Sequence, residues 1–110
     1  MTVLCYNYTN EPRNTTSNMF FYIYVLQSLK DGNRYIGYTS NLKRRIKEHI
    51  AGYNFSTAFR RPFKLIYFEG CLNELDAKRR ENYLKTTQGR RFIGLRLKEY
   101  NRQKAFGIGS

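Results

Sequence analysis

Residues 20–26 read Phe20-Phe21-Tyr22-Ile23-Tyr24-Val25-Leu26, and residues 31–37 read Asp31-Gly32-Asn33-Arg34-Tyr35-Ile36-Gly37. The first stretch is a continuous apolar, aromatic and β-branched run bounded by polar residues, the pattern of a central strand covered on both faces. Asp31-Gly32 is a hairpin signal, and Asn33–Thr39 supplies the returning strand. A two-residue turn at Asp31-Gly32 makes paired positions sum to 63. Even residues of the first strand then face odd residues of the second, so Tyr24 and Tyr35 share one face of the sheet.

Working outward, Ser40 or Asn41 caps a helix running to about Ala51, in which Leu42, Ile46 and Ile50 form an i, i+4, i+8 stripe. At about 100° per residue His49 falls inside the edge of that stripe and Arg45 just beyond it. A basic loop, Gly52–Pro62, leads to a third strand, Phe63–Phe68. Asn73 opens a second helix with Glu74 and Asp76 in its first turn, where the helix dipole favours acids. This helix runs to about Thr86, Gly89 stops it, and Arg90–Tyr100 forms a last short helix with Ile93, Leu97 and Tyr100 on one side. The expected fold is α+β: a small three-stranded, largely antiparallel sheet flanked by helices in the order β-β-α-β-α-α. Its span is 19–100, between a flexible extension, 1–18, and a C-terminal tail, 101–110.

The 110 residues suit one domain. Twenty Lys and Arg against eight Asp and Glu give a net charge of +12, and residues 1–18 contribute none of it, holding only Glu11 and Arg13. With 41% hydrophobic residues the chain is too apolar for a disordered polycation, so a compact basic domain with a polyanionic partner is expected. The longest apolar run, Met19–Leu26, is far short of a membrane span. Met1–Asn18 is polar and has neither the basic nor the apolar region of a secretory signal, so the expected location is cytoplasmic. The acceptor-like triplets at Asn7, Asn14 and Asn54 then carry no weight. Cys5 and Cys71 form no CxxC pair, and the single histidine leaves zinc-ligand spacing absent; no structural disulfide is expected.

In the second helix Ala77, Arg80, Glu81 and Leu84 are spaced i, i+3, i+4, i+7, placing the Glu81 carboxylate on a face with apolar positions, where an unpaired charge is costly. A salt bridge to a nearby arginine is the ordinary fate of such a residue; metal binding is the other, since magnesium needs only one or two carboxylates plus waters and substrate phosphate.

Tyr22-Ile23-Tyr24 and Tyr35-Ile36-Gly37, separated by ten residues, resemble the paired signature of the GIY-YIG nuclease superfamily. Arg45 and His49, four apart on the next helix, match its Arg-xxx-His element, and Glu81 matches its metal-binding glutamate. The similarity covers about Met19–Tyr100 and is greatest to small stand-alone bacterial members, which share the Lys-Asp-Gly hairpin, the Pro62 approach to strand three and the Gly-Arg-Arg-Phe near the end. Tyr22 stands where the family keeps glycine, and Thr86 and Thr87 occupy the region where other members keep an asparagine.

The resemblance implies a divalent-metal-dependent endonuclease hydrolysing DNA phosphodiesters, with a role in DNA repair or recombination. Tyr24, Tyr35, Arg45, His49 and Glu81 would be catalytic, and Glu81 would hold Mg²⁺ or Mn²⁺. A phenol of ordinary pKa about 10 is a poor base at neutral pH and needs a metal or cation beside it; Tyr35 is favoured as the group that deprotonates water, with Tyr24 orienting it. Arg45 brings a forked cation suited to phosphate, and His49 a hydrogen-bonding or proton-relay group. Candidate nucleic-acid contacts are Gly37, Arg60, Arg61, Lys78 and Lys85, with Arg79, Arg90 and Arg91 as further cations and Phe55 and Phe59 as stacking groups. With no second domain to confer specificity, cutting would depend on DNA structure or on a protein partner. A non-catalytic nucleic-acid-binding module and an adaptor for acidic proteins are the competing functions.

Overall fold

The computed structural model describes residues 19–53 and 57–105. The expectations that fall on residues 1–18, including Cys5, on Asn54 and Phe55, and on 106–110 lie outside the described residues.

Strand β1, Phe21–Ser28, is central in a three-stranded antiparallel sheet, between β2, Arg34–Thr39, and β3, Phe63–Cys71. Ile23 to Ser28 are buried without a break, as the unalternating apolar run requires. The β1–β2 register differs from that of a two-residue turn: Tyr22 pairs with Thr39, Tyr24 with Gly37 and Leu26 with Tyr35. The connection is longer because Ser28 gathers the chain locally. Its Oγ accepts from the Lys30 and Asp31 amides, its carbonyl accepts from Gly32 N at 2.9 Å, and Asp31 Oδ1 accepts from Asn33 N. The register moves by two residues, and a two-residue shift preserves faces. Tyr24 and Tyr35 therefore still share a face.

Helix α1, Leu42–Ala51, is capped by Asn41, whose side chain accepts from Arg44 N, and ends at Gly52 with φ +84°. It covers the face of the sheet carrying Tyr24, Leu26 and Phe63, with Leu42 and Ile46 packed against them. The buried stripe is turned relative to the expected one: Ile50 is 57% exposed, whereas His49 is 3% exposed. Helix α2, Glu74–Leu84, begins at Asn73, which accepts from the Leu75 and Asp76 amides. It packs on the opposite face, where Ala77 and Leu84 meet Ile23, Val25 and Ile93.

Gly89 does not stop a helix; it lies inside α3, Thr87–Arg96. Thr86 makes the break, its hydroxyl donating to Tyr83 O and accepting from Gly89 N. A Cβ on Gly89 would stand 2.5 Å from Leu84 Cα, so glycine is what lets α3 begin directly against the end of α2. A further helix, α4, Lys98–Ala105, follows Leu97, taking up residues 101–105 of the expected tail. The fold class stands, with one more helix. Among the described residues no helix is long and apolar enough to cross a membrane.

Candidate active site

Strand β2 is an edge strand, and the cleft of about 520 Å³ is built around it. Its odd residues, Tyr35 and Gly37, look to the α1 face; its even residues, Arg34, Ile36 and Tyr38, look to the α2–α3 face, and all five line the cleft. Side chains from both faces of the sheet therefore meet at one edge.

Tyr24 reaches this edge from the central strand because Gly37 lies directly opposite it. A Cβ built on Gly37 would fall within 2.9 Å of Tyr24 Cε2 and closer still to the end of the ring, so the phenol lies over the bare backbone. His49, buried under α1, places Nε2 3.0 Å from the Tyr24 hydroxyl and Nδ1 3.0 Å from Thr57 Oγ1. Phe63 stands edge-on to the imidazole at 6.2 Å. One turn earlier, Arg45 Nε donates to Tyr24 Oη at 3.4 Å and Nη1 donates to Glu48 Oε1 at 3.2 Å.

The direction of the chain follows from donor chemistry. Arginine only donates, so the Tyr24 oxygen accepts from Arg45 and keeps its own proton to give. Burial, and after it the charge of Arg45, holds the His49 pKa below 6.5 against the opposing pull of Glu48. A neutral imidazole takes the phenolic proton's hydrogen bond at Nε2 and donates Nδ1–H to Thr57. The bond to Tyr24 is in turn the main cause of a raised Arg45 pKa.

Tyr35 lines the same cleft with its ring edge-on to Phe63 at 5.6 Å, and its hydroxyl makes no hydrogen bond to a described residue. From the opposite face Glu81, its side chain 19% exposed, points Oε2 at Lys85 Nζ, 3.0 Å away. Tyr38 donates to Glu74 Oε2 at 2.8 Å, and burial followed by that carboxylate pushes its pKa up to about 12. It stays protonated. Lys78 lies over the Tyr38 ring and pairs with Glu74.

The structure thus gathers Tyr24, Tyr35, Gly37, Arg45, His49, Glu81 and Lys85 in one place. Other candidates are committed elsewhere. Arg60 pairs with Asp31 at 2.8 Å; Arg61 donates to the carbonyls of Ala51 and Ala58 and closes the end of α1. Arg79 pairs with Asp76, and Phe59 borders a separate groove with Ile50 and Pro62. Tyr22, at the position of the family glycine, turns into another groove beside Leu42 and Lys43 and does not line the cleft. Two lining residues had no distinguishing mark in the sequence: Thr57, one threonine in a loop, and Arg34, one arginine among many.

Among the described residues no three His, Cys, Asp or Glu side chains cluster as a metal cage. The donor set still suits a magnesium ion, which is content with one carboxylate if waters and phosphate oxygens complete its shell. Glu81 offers that carboxylate in a half-buried position, with an exposed lysine as its only described partner.

The chain belongs to the GIY-YIG family, a nuclease family: the GIY-YIG catalytic domain matches residues 20–101. It is similar to the UPF0213 protein CPE1444 of Clostridium perfringens, 45% identical over 65 residues that cover 58% of this chain and 69% of that one. The UPF0213 protein YazA of Bacillus subtilis is 38% identical over 71 residues, covering 64% and 69%. The solution NMR structure of the UPF0213 protein BH0048 from Bacillus halodurans is 33% identical, covers 68% of this chain and 82% of that one, and superposes with a TM-score of 0.44.

The packing of Tyr24 on Gly37 leads to a direct test. Gly37→Ala should cut any nuclease activity by about 10²-fold, because displacing a reacting group by an ångström costs that much, while circular dichroism stays native. Full activity in a folded Gly37→Ala protein would show that the phenol need not lie where it does.

Proposed function

We propose that this protein is a divalent-metal-dependent endonuclease that hydrolyses DNA phosphodiester bonds, selecting its substrates by DNA structure. The observation that carries this is the Arg45–Tyr24–His49–Thr57 hydrogen-bond chain opening into the same basic cleft as Glu81.

Tyr24 takes a proton from the attacking water while its own phenolic proton passes to His49 Nε2. The water oxygen forms the new bond to phosphorus as the ester P–O bond opposite it breaks, and the leaving oxygen takes its proton from solvent. Arg45 stabilises the charge left on the phenol oxygen during the transfer, and Thr57 keeps the imidazole turned so that Nε2 receives. Tyr35, whose hydroxyl bonds no described residue, orients the water or the phosphate. These roles reverse the ones favoured on the family resemblance, and the support is that the cation and the proton acceptor both stand beside Tyr24. Glu81 would hold the metal ion, whose chemistry is to neutralise charge on the phosphate oxygens.

Incubation with forked, flapped, nicked and plain duplex DNA tests the proposal. Cleavage should require Mg²⁺ or Mn²⁺ and be strongest on branched substrates. Salt-sensitive binding without cleavage across the whole panel would instead establish a non-catalytic DNA-binding module. The pH profile tests the relay. His49 must be neutral to accept a proton, and its pKa is held below 6.5, so the acid limb of kcat should fall below pH 6.5. The same sign governs folding: the histidine contribution to stability is complete above 6.5 and is lost as pH falls through the lowered value. An acid limb above 6.5 would remove His49 as the acceptor.

A further inference from the structure

Two of the four Lys and Arg side chains that line the cleft are neutralised at home: Arg45 has Glu48 and Lys85 has Glu81. Arg34 and Arg90 have no carboxylate within ion-pair distance among the described residues, although they come from different elements, the start of β2 and the first turn of α3. Both line the cleft. Both also line a small adjoining cavity of about 30 Å³ whose other walls are Val25, Ile36 and Ile93. Two arginines therefore border one cavity that has apolar walls and no acid among its lining residues, and an anion entering there would meet both cations.

Arg34 is also aimed. Its guanidinium donates to Asn101 Oδ1, while Asn101 Nδ2 donates to Gly94 O at 3.1 Å. Turning the amide over would set oxygen against the carbonyl and NH₂ against the guanidinium, so the orientation is fixed by its neighbours. A neutral amide holds the cation in place without quenching its charge. Burial pushes the Arg34 pKa down from its ordinary value, which marks a cation stripped of part of its water. In the strand register Arg34 pairs with Gln27, three residues along β1 from Tyr24, or roughly 10 Å at the rise of a strand. That backbone offset favours a phosphate beside the one at Tyr24 over that phosphate itself.

We propose that Arg34 and Arg90 form a second phosphate subsite, holding a backbone phosphate of the substrate strand that neighbours the one cleaved, and that Asn101 is the positioning residue for Arg34. The subsite rests on the nuclease function proposed above, and it fixes where the strand enters the cleft: over the α3 side of the sheet edge.

The experiment is a methylphosphonate scan, in which single phosphates of a bound oligonucleotide are made neutral in turn and affinity is measured in EDTA, where no cleavage occurs. One uncleaved position should weaken wild-type binding by roughly tenfold, the worth of a charge-assisted hydrogen bond. The same substitution should have little further effect on Arg34→Ala or Arg90→Ala, each of which lowers the salt slope of binding by about one. Asn101→Asp should reproduce the Arg34→Ala loss with every cleft residue in place, because it gives Arg34 a carboxylate of its own. Arg34→Lys serves as the folding control and should bind more tightly than Arg34→Ala. If wild type cleaves DNA but the variants respond to the scan as wild type does, the subsite is wrong and the nuclease assignment survives. Competition by millimolar inorganic phosphate through Arg34, without any position-specific effect in the scan, would mark a free-anion site and overturn it too. Absence of both binding and cleavage in wild type overturns both proposals.

Discussion

Tyr24→Phe should lower kcat for DNA cleavage by about 10²- to 10⁴-fold, the range for removing a general base, with DNA affinity almost unchanged. The substitution removes one oxygen. That oxygen accepts from Arg45 and hydrogen-bonds His49 Nε2, so its loss ends the relay while the ring keeps its place over Gly37. It also leaves His49 Nε2 buried without its partner, and a drop in Tm of roughly 4–20 °C is expected from an unsatisfied polar group costing about 1–3 kcal/mol. Tyr35→Phe removes a hydroxyl that bonds no described residue, so its folding stability should hold and its kcat should fall less. The pair separates the two tyrosines by rate and by melting temperature together. Loss of cleavage in Tyr35→Phe with near-normal turnover in Tyr24→Phe would return the base to Tyr35 and leave the Arg45–Tyr24–His49 chain a packing feature.

Much of this arrangement was legible because strand parity and helical spacing are local. The β1 run announced a covered central strand, and the shared face of Tyr24 and Tyr35 survived the register change because the slip was two residues. Gly89 was misleading for a physical reason: a glycine after a helical pattern reads as a C-terminal stop, whereas here its missing Cβ serves the close packing of α3 on Leu84. Ile50 turned outward and His49, expected just inside the edge of the stripe, became its buried member, because the groove beside Tyr24 and Thr57 offers the imidazole two hydrogen-bond partners and an isoleucine has no use for either. What periodicity could not give is the meeting of both sheet faces. Glu81 packs under one face and His49 under the other, and they share a cleft only because β2 lies at the edge and Gly37 lets a central-strand phenol cross it. Such a junction depends on strand order, which no single segment encodes.

Glu81→Ala should reduce metal-dependent cleavage by at least about 10²-fold, since the several kcal/mol a bound cation contributes to phosphoryl transfer would be lost. The effect can be separated from unfolding. The carboxylate's described partner is Lys85, an i,i+4 neighbour whose side chain is 48% exposed, and such pairs contribute about 0.3–0.5 kcal/mol. Tm should therefore move little. DNA binding in EDTA should hold or tighten, because an acid leaves a cleft otherwise lined by Arg34, Arg45, Lys85 and Arg90 and releases Lys85 toward phosphate. Mn²⁺-induced NMR line broadening gives a readout independent of turnover: wild type should broaden selectively at residues around Glu81, and Glu81→Ala should not. The isosteric Glu81→Gln keeps the shape and removes the charge, so it should behave as the alanine variant does if the role is to hold a cation. Cleavage by Glu81→Gln at the wild-type rate in Mg²⁺ would reduce Glu81 to a helix-surface partner of Lys85 and move the search for the metal's ligand elsewhere in the cleft.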